Sequence, residues 1–183
     1  MAISRIPGVG LETTGTASVN TFLRGDNAWA GTITSGTAVT ASGTSVDFTG
    51  IPATAKRITV MLSGVSTSGA SNPIIQLGAG SVTTSGYLGG SIESGNTRAT
   101  FTTGFGILSS APVNLLYGHM VLTNISANVW VASSNFVLFQ SSIYYIVAGA
   151  GSISLGGTLD RLRITTVNGT DTFDAGTINI MWE

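Results

Sequence analysis

His119 is the only histidine among the 183 residues, and cysteine is absent. Any Ser-His-Asp relay would have to use that one imidazole, and neither thiolate chemistry nor a disulfide framework is available. His119 lies in the run Leu115-Leu116-Tyr117-Gly118-His119-Met120-Val121-Leu122. No Gly-x-Ser-x-Gly elbow presents a nucleophile anywhere in the chain. The sequence therefore reads His119 as a strand residue, satisfied locally or lying at an interface. A threefold axis could gather three copies around an ion, although one histidine without cysteine makes a poor zinc set.

The carboxylates offer little more. A glycosidase needs two carboxyl groups about 5 to 10 Å apart in a groove, and the one local pair, Asp171 and Asp174, sits in Asn168-Gly169-Thr170-Asp171-Thr172-Phe173-Asp174. With Asn168 as a third oxygen donor this loop could hold a cation, but its spacing is not that of an EF-hand. Asp and Asn are also ordinary turn formers, so the segment reads as a turn leading into the last strand. Arg24-Gly25-Asp26 is the tripeptide adhesins present to integrins, and it is equally what a tight turn closed by an ion pair uses; the turn is the simpler reading. The glycine clusters precede no helix and make no phosphate cradle. Tyr144 and Tyr145 are adjacent on an apparent strand and must point to opposite faces. The outward one could stack on a sugar with Tyr87 or Trp130, or pack between subunits, which needs fewer assumptions.

Positioning these residues falls to strands. No window shows a helical apolar period, whereas apolar and polar residues alternate at Arg57–Leu62, with Ile58, Val60 and Leu62 on one side. Alternation recurs at Leu162 and Ile164 and at Ile178 and Ile180. Continuous apolar runs at 73–77, 113–125, 129–131, 136–139 and 143–147 suit strands covered on both faces, in a sandwich centre or against a neighbouring subunit. Turn signals stand at 50–52, 71–73, 89–90, 95–96, 133–135, 149–151, 156–157 and 168–169. About eight to ten strands in this arrangement predict an all-β fold, an antiparallel β-sandwich of jelly-roll-like type.

Seven Lys+Arg against eight Asp+Glu leave a formal charge of −1, so the basic footprint of a nucleic-acid binder is missing. Charged residues are 8% of the chain, against about 25% in ordinary globular proteins. A weakly charged, apolar surface associates readily, so a homo-oligomer is expected. The longest apolar stretch, Ile143–Ala150, is far short of the ~20 residues that span a bilayer, and no membrane insertion is expected. The start, MAISRIPGVG, has neither the charged region nor the apolar core of a signal peptide.

Residues 1–31 lack alternation and carry too few apolar side chains to order themselves, so they read as an extended N-terminal arm and 32–183 as the sandwich domain. Fully extended, the arm would reach roughly 100 Å at about 3.3 Å per residue, far enough to cross a neighbour. Within it, Thr21-Phe22-Leu23-Arg24-Gly25-Asp26 is followed by Trp29.

This run resembles the linker that precedes C-terminal domains in tail fibres of tailed bacteriophages. The stretches 46–67 and 159–183 resemble modules at the ends of phage virion proteins. The resemblance implies a virion structural protein without enzymatic activity, metal or cofactor, assembled as a homotrimer in the host bacterial cytoplasm. It implies that Phe22, Leu23, Arg24, Asp26 and Trp29 contact partners, and that the arm joins other virion proteins of tail or capsid. The exposed loops at 66–72, 89–98 and 149–157 would then be the candidates for contact with a host surface glycan or protein. A capsid decoration protein, anchored by the same arm, is the alternative.

Overall fold

The computed structural model describes residues 21–23, 29–31, 33–95, 97–109, 111–112 and 114–183. The chain divides into two compact units, Met1–Thr34 and Ser35–Glu183. In the first, β1 (Thr21–Leu23) pairs antiparallel with β2 (Trp29–Gly31), and Leu23 stands opposite Trp29. The expected Arg24-Gly25-Asp26 turn lies outside the described residues.

The second unit is an all-β, antiparallel β-sandwich, with no helix among the described residues. Its larger sheet contains β3 (Thr34–Ser35), β4 (Val39–Thr40), β6 (Arg57–Thr67), β9 (Leu88–Glu93), β10 (Arg98–Phe101), β12 (Leu115–Ser126), β13 (Val129–Gln140), β14 (Ile143–Ser154) and β16 (Phe173–Trp182). They run in the order β10-β9-β14-β13-β12-β6-β16-β3, with β4 also on β16. The smaller sheet, in the order β11-β7-β15-β5, is built from β5 (Ser45–Thr49), β7 (Pro73–Ala79), β11 (Phe105–Gly106) and β15 (Arg161–Thr166), and β8 (Ser81–Val82) adds to β7.

The alternating segments form strands because one side of each meets the other sheet. Ile58, Val60 and Leu62 of β6, Ile178 and Ile180 of β16, and Leu162 and Ile164 of β15 are all buried in one core. Tyr87 plugs that core. Its ring meets Phe105 edge-on at 5.1 Å; its hydroxyl accepts from the Leu77 N–H at 2.7 Å and donates to the Thr83 carbonyl at 3.1 Å.

Several sequence expectations need correction. Among the described residues the sandwich has fourteen strand segments instead of eight to ten, because four two-residue pieces, β3, β4, β8 and β11, add to the longer strands. The turn signals at 89–90, 133–135 and 149–151 lie inside β9, β13 and β14. In β14 the glycines allow close approach: a Cβ on Gly151 would stand 2.6 Å from the Leu88 carbonyl oxygen and 2.9 Å from the Gly89 Cα. Strand β7 is buried on both faces as its apolar run implied, whereas within the single chain β12 and β13 bury residues of one face and β14 buries only Val147 and Ile153, so these runs are not covered on both sides in a sandwich centre.

Two bulges lock the sheet centre. Gly64 is skipped between Val65↔Leu116 and Ser63↔Tyr117, and Gly176 between Ala175↔Ser66 and Thr177↔Ser63. Both have positive φ, 65° and 94°, and a Cβ on Gly176 would lie 2.5 Å from the Gly64 carbonyl group. Backbone strain and a backbone clash then act together, so Gly176→Ala is expected to lower unfolding free energy by about 2–4 kcal/mol in urea titrations. A loss below about 1 kcal/mol would show that the two bulges can separate freely.

Burial raises the Tyr87 phenol pKa to about 12, with the Leu77 N–H opposing that shift. Because the folded value exceeds the unfolded value of about 10, its stabilisation is complete below pH 10 and is lost as pH rises towards 12. Tyr87→Phe should remove that part of the alkaline slope, and should cost about 1–3 kcal/mol at neutral pH by stranding the Leu77 N–H. Melts recorded across this pH range for both proteins check the sign.

Candidate interaction surfaces

Side chains alternate across each strand, so burying one face of the large sheet leaves the other outside the sandwich. Register places Leu115, Phe139 and Tyr144 in one outward row and Tyr117, Val137 and Ile146 in the next. A third row runs Met61, His119, Asn135, Ala148, Ile92 and Arg98. Strands β12, β13 and β14, twelve residues each, contain no Asp, Glu, Lys or Arg. Of the nine exposed large apolar side chains among the described residues, Leu88, Ile92, Tyr117, Tyr144 and Ile146 all point outward here.

Local chemistry shapes one end of this face. The Gly64 bulge lets the Tyr117 ring lie over the β6 backbone, with its hydroxyl 3.4 Å from where a Gly64 Cβ would be. Phe139 and Tyr144 pack at 4.9 Å with their rings tilted by 40°. With Leu115 and Val137 these aromatics line a hollow of about 440 Å³. A second depression, about 500 Å³, has Gly90, Ala148 and Ala150 along its lining beside Ile92, Arg98 and Thr100. Tyr144 is 68% exposed whereas Tyr145 packs against the core, which is the opposite-face arrangement expected from their adjacency. Tyr87 and Trp130 are buried, so neither joins Tyr144 in stacking on a sugar.

The outer face of the small sheet has the opposite character. Arg163 donates two hydrogen bonds to Asp47 across β15 and β5, at 2.7 and 2.8 Å. Arg161 pairs with Asp160 at 2.9 Å, and the Gln76 amide donates to the Thr103 carbonyl. Along β15 and β5 this face has the charges and polar groups of a solvated surface, whereas at β7 it is covered and Gln76 is buried.

The loop considered for a cation uses its oxygens internally. Asp171 accepts from the Asn168 amide at 2.7 Å and from the Ser71 N–H at 2.9 Å, and these bonds hold its carboxyl below the usual carboxylate range. The Asn168 side-chain oxygen accepts from the Thr166 hydroxyl and from the N–H groups of Thr170 and Asp171. Asp174 accepts from the Ser66 hydroxyl instead of joining them. The arrangement ties loop 68–72 to loop 167–172, with Ser68 and Thr172 adding two more bonds. No group of three His, Cys, Asp or Glu converges among the described residues.

His119 points outward from β12 between Met61 and Asn135. Phe22 and Leu23 belong to β1 and Trp29 to β2; Arg24 and Asp26 lie outside the described residues. The expected tips also shift. Positions 66–67 end β6, 89–93 form β9 and 149–154 belong to β14, so the open connections are 68–72, 94–97 and 155–160.

Comparison with known proteins finds no matching family model, curated protein or solved structure. No helix among the described residues is long and apolar enough to cross a membrane. The sequence reading expected a second cover over these strands, in a sandwich centre or against a neighbouring subunit; a further signal lies in residues 99–159, which contain no Asp, Glu, Lys or Arg.

The tip beside Tyr144 is strained. Gln140 pairs with Ile143, and the two residues between them, Ser141 and Ser142, have φ of 47° and 71°. This is the geometry that Asn-Gly supplies at little cost in a two-residue hairpin. Replacing Ser141-Ser142 by Asn-Gly is expected to raise unfolding free energy by about 0.5–2 kcal/mol. An unchanged or lowered denaturant midpoint would show that the serines are stabilised there by something other than the turn.

Proposed function

We propose that this protein is a structural component of a tailed-phage particle, a trimeric tail-fibre or fibre-tip protein that acts by binding and assembly. Residues 1–31 attach it to other virion proteins, and the sandwich projects from that attachment. One juxtaposition carries the reading: the Thr21–Asp26 run with Trp29, resembling a fibre linker, leads into a sandwich whose larger outer face is broad, apolar and nearly uncharged. Virion proteins of this kind are built from repeated copies, and such a face has the chemistry of a surface that repeated copies cover. The tied loops at 68–72 and 167–172 give the sandwich a polar, internally bonded end suited to presentation, with small side chains that tolerate contact with a host glycan or protein.

The test is location. Gold-labelled antibody against the chain should decorate the tails of purified particles, and removing residues 1–31 should abolish labelling while the far-ultraviolet spectrum of the remaining domain stays that of a β-protein. Trp29→Ala should lower occupancy in the same assay. A regular array of label on the head would replace the fibre reading with a capsid decoration protein. Particles that carry no label would remove the virion assignment altogether.

A further inference from the structure

We infer that the outer face of the large sheet is the self-association surface, covered in the assembled protein by further copies of this chain. The inference takes the oligomer from the reading above and locates its contact; it does not depend on where a particle carries the protein.

The contrast between the two outer faces carries the argument. The small sheet turns the Asp47–Arg163 pair outward, as a water-facing sheet does. On the large sheet, the outward residues of β12, β13 and β14 include no carboxylate, lysine or arginine, and the ionisable groups are His119, Tyr117 and Tyr144. Charge appears only near the margins. Arg57 at the start of β6 is paired with Glu183, and Arg98 lies on the terminal strand β10.

Size agrees. Strands β6, β12, β13, β14 and β9 are neighbours, and five strands about 4.8 Å apart, roughly ten residues long at about 3.4 Å each, present on the order of 800 Å². That is about what each partner contributes to a stable protein interface.

Position within the face supplies the anchors. Interface energy concentrates on aromatic residues seated in pockets. Tyr117, Phe139 and Tyr144 border one hollow, and the depression over Ala148 and Ala150 offers room for a large side chain from another copy. A second copy also fits better than a charged ligand, because an uncharged face complements itself without paired charges. The continuous apolar runs in β12, β13 and β14 thereby gain the second covered side that the single chain does not provide.

Light scattering on the full-length chain, combined with size-exclusion chromatography, tests this. The wild type should be an oligomer across micromolar concentrations, a trimer in the reading above. Ile146→Lys and Ala148→Arg, each placing a charge in the middle of the face, should drop the mass to that of the monomer, a threefold loss for a trimer. Ser45→Lys on the opposite sheet should leave the mass unchanged. Thermal melts identify any variant that fails to fold. Hydroxyl-radical footprinting of the unmutated protein gives a readout that needs no variant: Tyr117 and Tyr144 should be protected in the oligomer and oxidised in folded Ile146→Lys.

A wild-type monomer overturns the inference, whether or not it binds a glycan or a lipid vesicle. So does an oligomer whose Tyr144 remains fully reactive, or one that persists with both charges introduced. A dimer held by this face would sustain the inference and remove the trimer from the proposed function. Particle labelling decides the virion assignment separately.

Discussion

A strand has two faces, and a two-layer sandwich can cover only one of them. Everything distinctive in this protein follows from how that limit falls on the nine-stranded sheet. Its inner side rests on the smaller sheet through Ile58, Val60, Leu116, Leu122, Phe136 and Val147, all buried. Its outer side mixes apolar residues such as Tyr117, Val137, Tyr144 and Ile146 with uncharged polar ones such as Ser133, Asn135 and Ser152, and five of its large apolar side chains are exposed. The small sheet meets the same limit in the ordinary way, by turning Arg163 and Asp47 outward.

Keeping such a sheet in one register takes specific backbone devices. A one-residue slip in β12–β14 would exchange the core face with an uncharged outer face that itself carries Tyr117, Val137, Phe139 and Ile146, so hydrophobic patterning discriminates less sharply between registers there. The facing bulges at Gly64 and Gly176 supply a register lock between β6 and β16, since Gly176 fits against the Gly64 backbone only without a side chain. The two-residue Ser141-Ser142 connection acts at the neighbouring hairpin by fixing Gln140 opposite Ile143. Strain at these points and alignment of the outer rows are linked, because a slip at the hairpin would separate Phe139 from Tyr144.

Sequence reading succeeded where the two faces differ in polarity. Arg57–Leu62, Arg161–Thr165 and Thr177–Met181 alternate visibly because their outward neighbours are polar or charged, and they gave both the strand assignments and the inward residues. In β12–β14 that contrast disappears, so the same reasoning yielded strands but expected both faces covered. Glycine misled it at 89–90 and 149–151, which lie within strands and not at chain reversals; at Gly149 and Gly151 the missing side chain serves close approach. The actual reversal at 141–142 uses two serines and carries no glycine or asparagine signal. The cation reading of Asn168 and Asp171 failed for a different reason: spacing shows that oxygens are near one another but not which N–H groups have already claimed them. The bulges were illegible, because they depend on the pairing of β6 with β12 and β16, strands distant in sequence.

The proposed face-directed association is consistent with the shape of the sheet's margins. An open sheet can add partners at its edges, where unpaired N–H and C=O groups invite unlimited growth. Here β3 and β4 are two residues each, and β10, at the other margin, is four residues long and carries Arg98. Short or charged strands offer a poor template for pairing, so the edges discourage addition while the broad face favours it. Growth in the plane of the sheet runs on without limit, whereas packing one face against copies related by rotation can close after a fixed number. In the proposed assembly the long uncharged strands and the blunt edges act together: the face favours association, and the edges confine it to the direction in which assembly stops.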